Sequence, residues 1–111
     1  MKAAVCTKLD GPDAIELVDL PEPTAGPGEV VVRHGAIGLN FIDIYHRTGL
    51  YPLPGLPAIL GLEGAGVVAA VGPGAAGFRE GDRVTWMKAP GSYAEAVVVP
   101  ADQAVAVPEA V

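Results

Sequence analysis

Short apolar runs separated by turn residues recur along most of the chain, the pattern of strands joined by tight connections. Met1–Lys8 reads as a first strand, broken by Asp10-Gly11-Pro12-Asp13. Ile15–Asp19 alternates apolar with acidic residues, as a half-buried hairpin partner does. Pro21, Pro23 and Pro27 make the next stretch an extended connector that cannot join a central ladder. Strand composition resumes at Glu29–Ala36 and returns at Gly64–Val71, Arg83–Met87, Tyr93–Val99 and Ala104–Val107. One segment departs from this rhythm. Asn40–Thr48 opens on a cap-type residue, carries Asp43 in its first turn and ends before Gly49, which predicts a two-turn helix. In it Asn40 is placed to accept the backbone N–H of Asp43, and Asp43 and Arg47 stand four apart in the favourable order. Three prolines between Pro52 and Pro57 then make an irregular loop, of a length more often functional than accidental.

Composition sharpens the picture. Of 111 residues, 15 are valine, which favours strands over helices, and 15 are glycine and 11 proline. The formal charge of −6, with no Lys/Arg cluster, argues against nucleic acid and against anionic membrane surfaces as partners. No apolar run approaches a membrane span, and the first residues reach Lys8 and Asp10 too soon for a signal-peptide core. The single cysteine, Cys6, excludes an internal disulfide and fits a reducing, cytoplasmic setting. One β domain over residues 1–111 is therefore expected, with a single core.

Two glycine patterns invite a nucleotide-binding reading and fail it. Gly72-Pro73-Gly74-Ala75-Ala76-Gly77 matches G-x-G-x-x-G after a strand, yet Arg79-Glu80-Gly81-Asp82 leaves no room for the helix whose N-terminus would face a pyrophosphate. Gly64–Ala69 fails because Val67–Val71 continue as strand.

An ordered series of small motifs carries a resemblance. Gly61-Leu62-Glu63-x-x-Gly66 with Gly72, Glu80-Gly81-Asp82-Arg83-Val84 and Gly91-x-Tyr93-Ala94-Glu95 resemble the GroES-like catalytic domain of the medium-chain dehydrogenase/reductase superfamily. Gly38–Tyr45, followed by Arg47-x-Gly49-Leu50-Tyr51-Pro52, is similar to the zinc-independent quinone oxidoreductases, the ζ-crystallin group. The resemblance implies a mostly β fold, a partly open twisted barrel with one short helix near Phe41–Arg47. It also implies an NADPH cofactor held mainly by a Rossmann domain that this chain does not contain. Leu62 stands where the zinc enzymes of the superfamily place a histidine, and Asn40 where they place a cysteine, so no metal is expected. Only Cys6, His34 and His46 remain as N/S donors, at spacings that build no catalytic zinc site.

The activity implied is hydride transfer to a quinone or another conjugated carbonyl. The resemblance casts Asn40, Tyr45 and Tyr51 as catalytic, Phe41, Ile42, Asp43, Ile44 and Tyr45 as lining the nicotinamide, and Glu63 as a supporting group behind them. Each has a plainer alternative: Asn40 as a helix cap, Asp43 with Arg47 as a surface ion pair, the tyrosines and Phe41, Ile42 and Ile44 as packing, Glu63 as a partner of backbone donors. His34 and His46 read as surface or packing residues, Cys6 as an inert strand residue, and Trp86 as either cleft rim or surface. An enoyl-thioester reductase of the same superfamily and a non-catalytic, self-associating β-module are the competing functions. The isolated chain is expected to be inactive and, with apolar cleft surface uncovered, to form homo-oligomers.

Overall fold

The computed structural model describes all of residues 1–111 as two antiparallel sheets and one helix, a mostly β fold that does not close into a full barrel. In chain order the elements are β1 (Lys2–Cys6), β2 (Ile15–Asp19), β3 (Glu29–Ile37), α1 (Phe41–Thr48), β4 (Ala58–Ile59), β5 (Gly64–Val71), β6 (Arg83–Trp86), β7 (Ala96–Pro100) and β8 (Val105–Ala106). The small sheet runs β2-β1-β4 and the large one β7-β3-β5-β6-β8. Short 3₁₀ turns at Pro12–Ala14 and Ala101–Gln103 complete the chain.

Valine builds the main core. Val30 and Val32 of β3, Val68 of β5, Val84 of β6 and Val97 and Val99 of β7 form one buried cluster with Trp86, the last residue of β6. Their branched side chains suit a pleated surface buried on one face. A second, smaller cluster joins Cys6, Ala14 and Leu60 beneath the small sheet. Cys6 is fully buried, as expected of an inert strand residue.

The central pair, β3 and β5, breaks register between Val31 and Val32 and again between His34 and Ala36. Gly66 sits at the second irregularity, so close to β3 that any Cβ would overlap the Arg33 carbonyl oxygen. The Gly72 turn is equally tight, with no room for a Cβ beside the Gly26 carbonyl. Its amide bonds Glu29 O at 2.8 Å, and the stretch leads to β6 without a helix, as an antiparallel connection.

Most strand ends fall within a residue of the sequence reading; two boundaries move further and one strand was not expected. β1 stops at Cys6 because Thr7 N–H turns to the Ala14 carbonyl, 2.9 Å away. β7 starts at Ala96 because Ser92–Glu95 cross to the other sheet: Ala4 N–H donates to Tyr93 O at 2.7 Å and Glu95 N–H to Lys2 O at 3.0 Å. β4, pairing Val5 with Ile59 directly after the proline-rich loop, is too short to show any periodicity. At the far edge, Arg83 donates to the carbonyls of Val111 (2.7 Å) and Pro108 (2.9 Å), holding the last residues against β6.

Candidate active site

Helix α1 hangs between β3 and the proline-rich loop, and its sequence orients it unusually. Phe41 is 75 % exposed and Ile44 42 %, while Asp43 is only 4 % exposed. The apolar side chains face outward and the carboxylate inward, the reverse of a surface helix packed on its own core.

Asn40 and Asp43 face each other as a capping box. The well-formed bond in it is the reverse one, in which Asn40 N–H donates to Asp43 Oδ2 at 3.0 Å, while Asp43 N–H goes to the Asn40 backbone carbonyl. Gly49 closes the helix in the left-handed region (φ 89°), its N–H donating to Tyr45 O at 3.0 Å. The expected Asp43–Arg47 pair does not form. Arg47 instead donates to the Asp10 carbonyl at 2.9 Å, and Asp10 N–H returns a bond to Arg47 O, which ties the helix end to the turn after β1. Asp43 is engaged elsewhere: its Oδ2 also accepts the Tyr93 hydroxyl at 2.7 Å, while Oδ1 is buried without a partner. Burial and the neighbouring carboxylate push the Tyr93 phenol well above its ordinary range, so it remains a donor.

A cleft of about 450 Å³ opens at the helix start, walled by Asn40, Phe41 and Ile42 on one side and Leu62, Glu63, Met87 and Lys88 on the other. A trough of about 510 Å³ continues from it past Ile37, Gly38, Trp86 and Val105, with Glu63 and Met87 as the shared wall. Glu63 lies directly on Gly38, where a Cβ would overlap its carboxylate. Lys88 adopts φ 68°, a left-handed conformation that a non-glycine residue takes at a cost and that tends to mark functional sites. Of the sequence candidates, Asn40, Phe41, Ile42 and Glu63 therefore converge on one cleft. Ile44 lines a smaller hollow of about 310 Å³ with Asp43 and Tyr93. Tyr45 and Tyr51 pack edge to face, ring centres 5.4 Å apart, with Tyr51 half exposed.

Sequence reasoning missed Tyr93, Met87 and Lys88. Tyr93 lay in a quoted motif, but nothing local says that its hydroxyl crosses 50 positions to a carboxylate. No three His, Cys, Asp or Glu side chains are gathered as a metal site would need.

His34 proves to be a packing residue, its ring 5.3 Å from Trp86 and both nitrogens buried. Burial lowers its pKa from the ordinary 6.5, against a smaller opposing pull from the Ala94 and Glu95 carbonyls. A lowered folded value means that the unfolded chain takes up the proton first as pH falls, so stability is full above 6.5 and lost below it. Thermal midpoints from pH 8 to 4 should fall below 6.5, with that part of the slope absent in His34→Phe. Fluorescence of Trp86, the only tryptophan, should drop over the same acidic range as the adjacent imidazole charges; a midpoint above 6.5 would contradict the burial argument.

Comparison with known proteins agrees with this architecture. A quinone oxidoreductase of Pseudomonas aeruginosa is 49 % identical over 102 residues, covering 91 % of this chain and 31 % of the relative. A synaptic vesicle membrane protein VAT-1 homolog of Rattus norvegicus is 44 % identical, over 99 % of this chain and 28 % of its own length. The crystal structure of Escherichia coli quinone oxidoreductase complexed with NADPH superposes with a TM-score of 0.97 at 38 % identity, covering the whole chain and 34 % of that protein. The chain thus spans about a third of the length of the relatives it matches. The model of the alcohol dehydrogenase GroES-like domain matches residues 26–109, and with these neighbours it shows that the chain belongs to that family, within the medium-chain dehydrogenase/reductase superfamily.

Proposed function

We propose that this chain is the substrate-side domain of an NADPH-dependent oxidoreductase that passes a hydride to a quinone without a metal ion. On this reading the dinucleotide is held mainly by a Rossmann domain outside this sequence, and the 111 residues alone are inactive. The observation that carries it is the mixed cleft at the start of α1, where apolar Phe41, Ile42, Leu62 and Met87 surround Asn40, Glu63 and Lys88.

That lining suits a flat ring with a polar amide, as at the nicotinamide end of the cofactor, while the Gly72 turn opens no helix to receive a pyrophosphate. Bound there, NADPH supplies the hydride. The chain's own residues do the rest. Phe41, Ile42, Leu62 and Met87 exclude water, and Asn40 offers a neutral donor where oxyanion character develops on the acceptor. Tyr45 and Tyr51, packed edge to face at the end of the helix, supply hydroxyl groups to the acceptor, and Glu63 backs the cleft from across Gly38. Asp43, turned inward, and Ile44 shape the helix that carries them. A neutral donor such as Asn40 suits a metal-free site, and the scattered His, Cys and carboxylate donors support that part of the reading. No helix is long and apolar enough to cross a membrane, a cytoplasmic home accords with the free Cys6, and a cleft of about 450 Å³ suits a small-molecule substrate. Leu39 and Leu50, both largely exposed, supply apolar surface for a homo-oligomer.

The test is NADPH oxidation with 1,4-benzoquinone. The chain alone should give no rate above buffer. Carried in place of the matching third of the Pseudomonas aeruginosa relative, it should support turnover that Asn40→Ala lowers at least tenfold. Consumption of a crotonyl thioester in place of the quinone would move the assignment to an enoyl-thioester reductase, and a folded, NADPH-binding hybrid that consumes neither would sink it.

A further inference from the structure

We propose that Tyr93 is a positioning residue of the cleft, fixing Asn40 in place through the Asp43 carboxylate. The consequence for catalysis rests on the hydride-transfer reading; the tether itself does not. Tyr93 is anchored on both sides of its peptide, with its N–H on Leu60 O at 2.9 Å and its carbonyl receiving Ala4 N–H at 2.7 Å. From that fixed point its hydroxyl reaches Asp43 Oδ2 at 2.7 Å, and the same oxygen accepts the Asn40 backbone amide at 3.0 Å. One buried oxygen therefore joins the residue at the cleft mouth to a segment clamped against β1 and Leu60.

The carboxylate has little else to hold it. Its other oxygen, Oδ1, has no partner, and Arg47, the expected counter-ion, is bonded to the Asp10 carbonyl. Of the two hydrogen bonds that the Asp43 carboxylate accepts, only the one from Tyr93 comes from outside the helix start. Removing it leaves a buried charge with one neutral amide, and the carboxylate then turns towards water. Tyr93 does this as a permanent donor, since burial and the adjacent carboxylate keep its phenol protonated at all ordinary pH. It is therefore a strut and not a proton source.

Amide hydrogen exchange on the ¹⁵N-labelled 111-residue chain tests this. In Tyr93→Phe the Asn40 amide should exchange at least tenfold faster and its proton resonance should move upfield. The Gly49 amide, bonded to Tyr45 O within the same helix, should change less than twofold, as should the Val68 amide in β5. Equal loss at Asn40 and Gly49 would make Tyr93 a general support of the helix and overturn the proposal, as would unchanged exchange at Asn40. Asp43→Asn, which removes the charge and keeps an acceptor oxygen, should retain part of the Asn40 protection. No cofactor enters the measurement, so its failure leaves the hydride-transfer reading standing, and a failed quinone assay leaves the tether standing.

Discussion

Gly66→Ala should lower the thermal midpoint by 10 °C or more, corresponding to about 2–3 kcal/mol for a domain of this size. Gly66 lies in β5, paired with both β3 and β6, at the irregularity opposite His34. A methyl group there meets the Arg33 carbonyl and, behind it, the His34 Cα, both backbone atoms that no rotamer change can move aside. The strands must separate or lose register, and a register slip in this pair would turn valines of the main core towards solvent. Gly74→Ala is the control. Gly74 has φ 74° but open space around the added carbon, so only the left-handed penalty of about 1 kcal/mol applies. Differential scanning calorimetry on the two variants decides the matter, and equal losses would show that packing at Gly66 is softer than its geometry implies.

Trp86→Ala should cost about 3–5 kcal/mol, comparable with much of the stability of a small domain. Trp86 is 4 % exposed and is the largest side chain in the valine core, touching the walls of both that core and the trough. Its neighbours lie on β-ladders and cannot collapse into the space, so the cavity term adds to the lost transfer energy. Trp86→Phe should recover more than half, since the indole N–H has no partner to lose. Urea titration followed by far-ultraviolet circular dichroism measures both variants without relying on the deleted fluorophore.

Most of this architecture was legible because it rests on local patterns. The acid–apolar alternation of Ile15–Asp19 marks a strand by its period, the valine runs at Glu29 and Gly64 by their β-branched content between turn residues, and Asn40 with Gly49 brackets the helix. Of the site group that the ordered motifs suggested, Asn40, Phe41, Ile42 and Glu63 share a cleft, whereas Asp43, Ile44, Tyr45 and Tyr51 are not among its walls. What was hidden depends on contacts between distant segments. Whether Asp43 meets Arg47 or Tyr93 is decided by which partner the fold carries nearer, and helix spacing alone favours the wrong one. Lys88 shows no sequence sign of its left-handed backbone, because the usual marker of that conformation is a glycine.

The grip of Arg83 on the Pro108 and Val111 carbonyls reaches past the protein's own stability. Chain ends ordinarily fray, and a label or fusion attached to one swings freely. Here residues 108–111 stay against the sheet margin, because Arg83 bonds them through its guanidinium while its own carbonyl takes the Val107 N–H at 2.9 Å. A spin label or dye placed at Val111 would therefore report the orientation of that edge instead of averaging over free rotation.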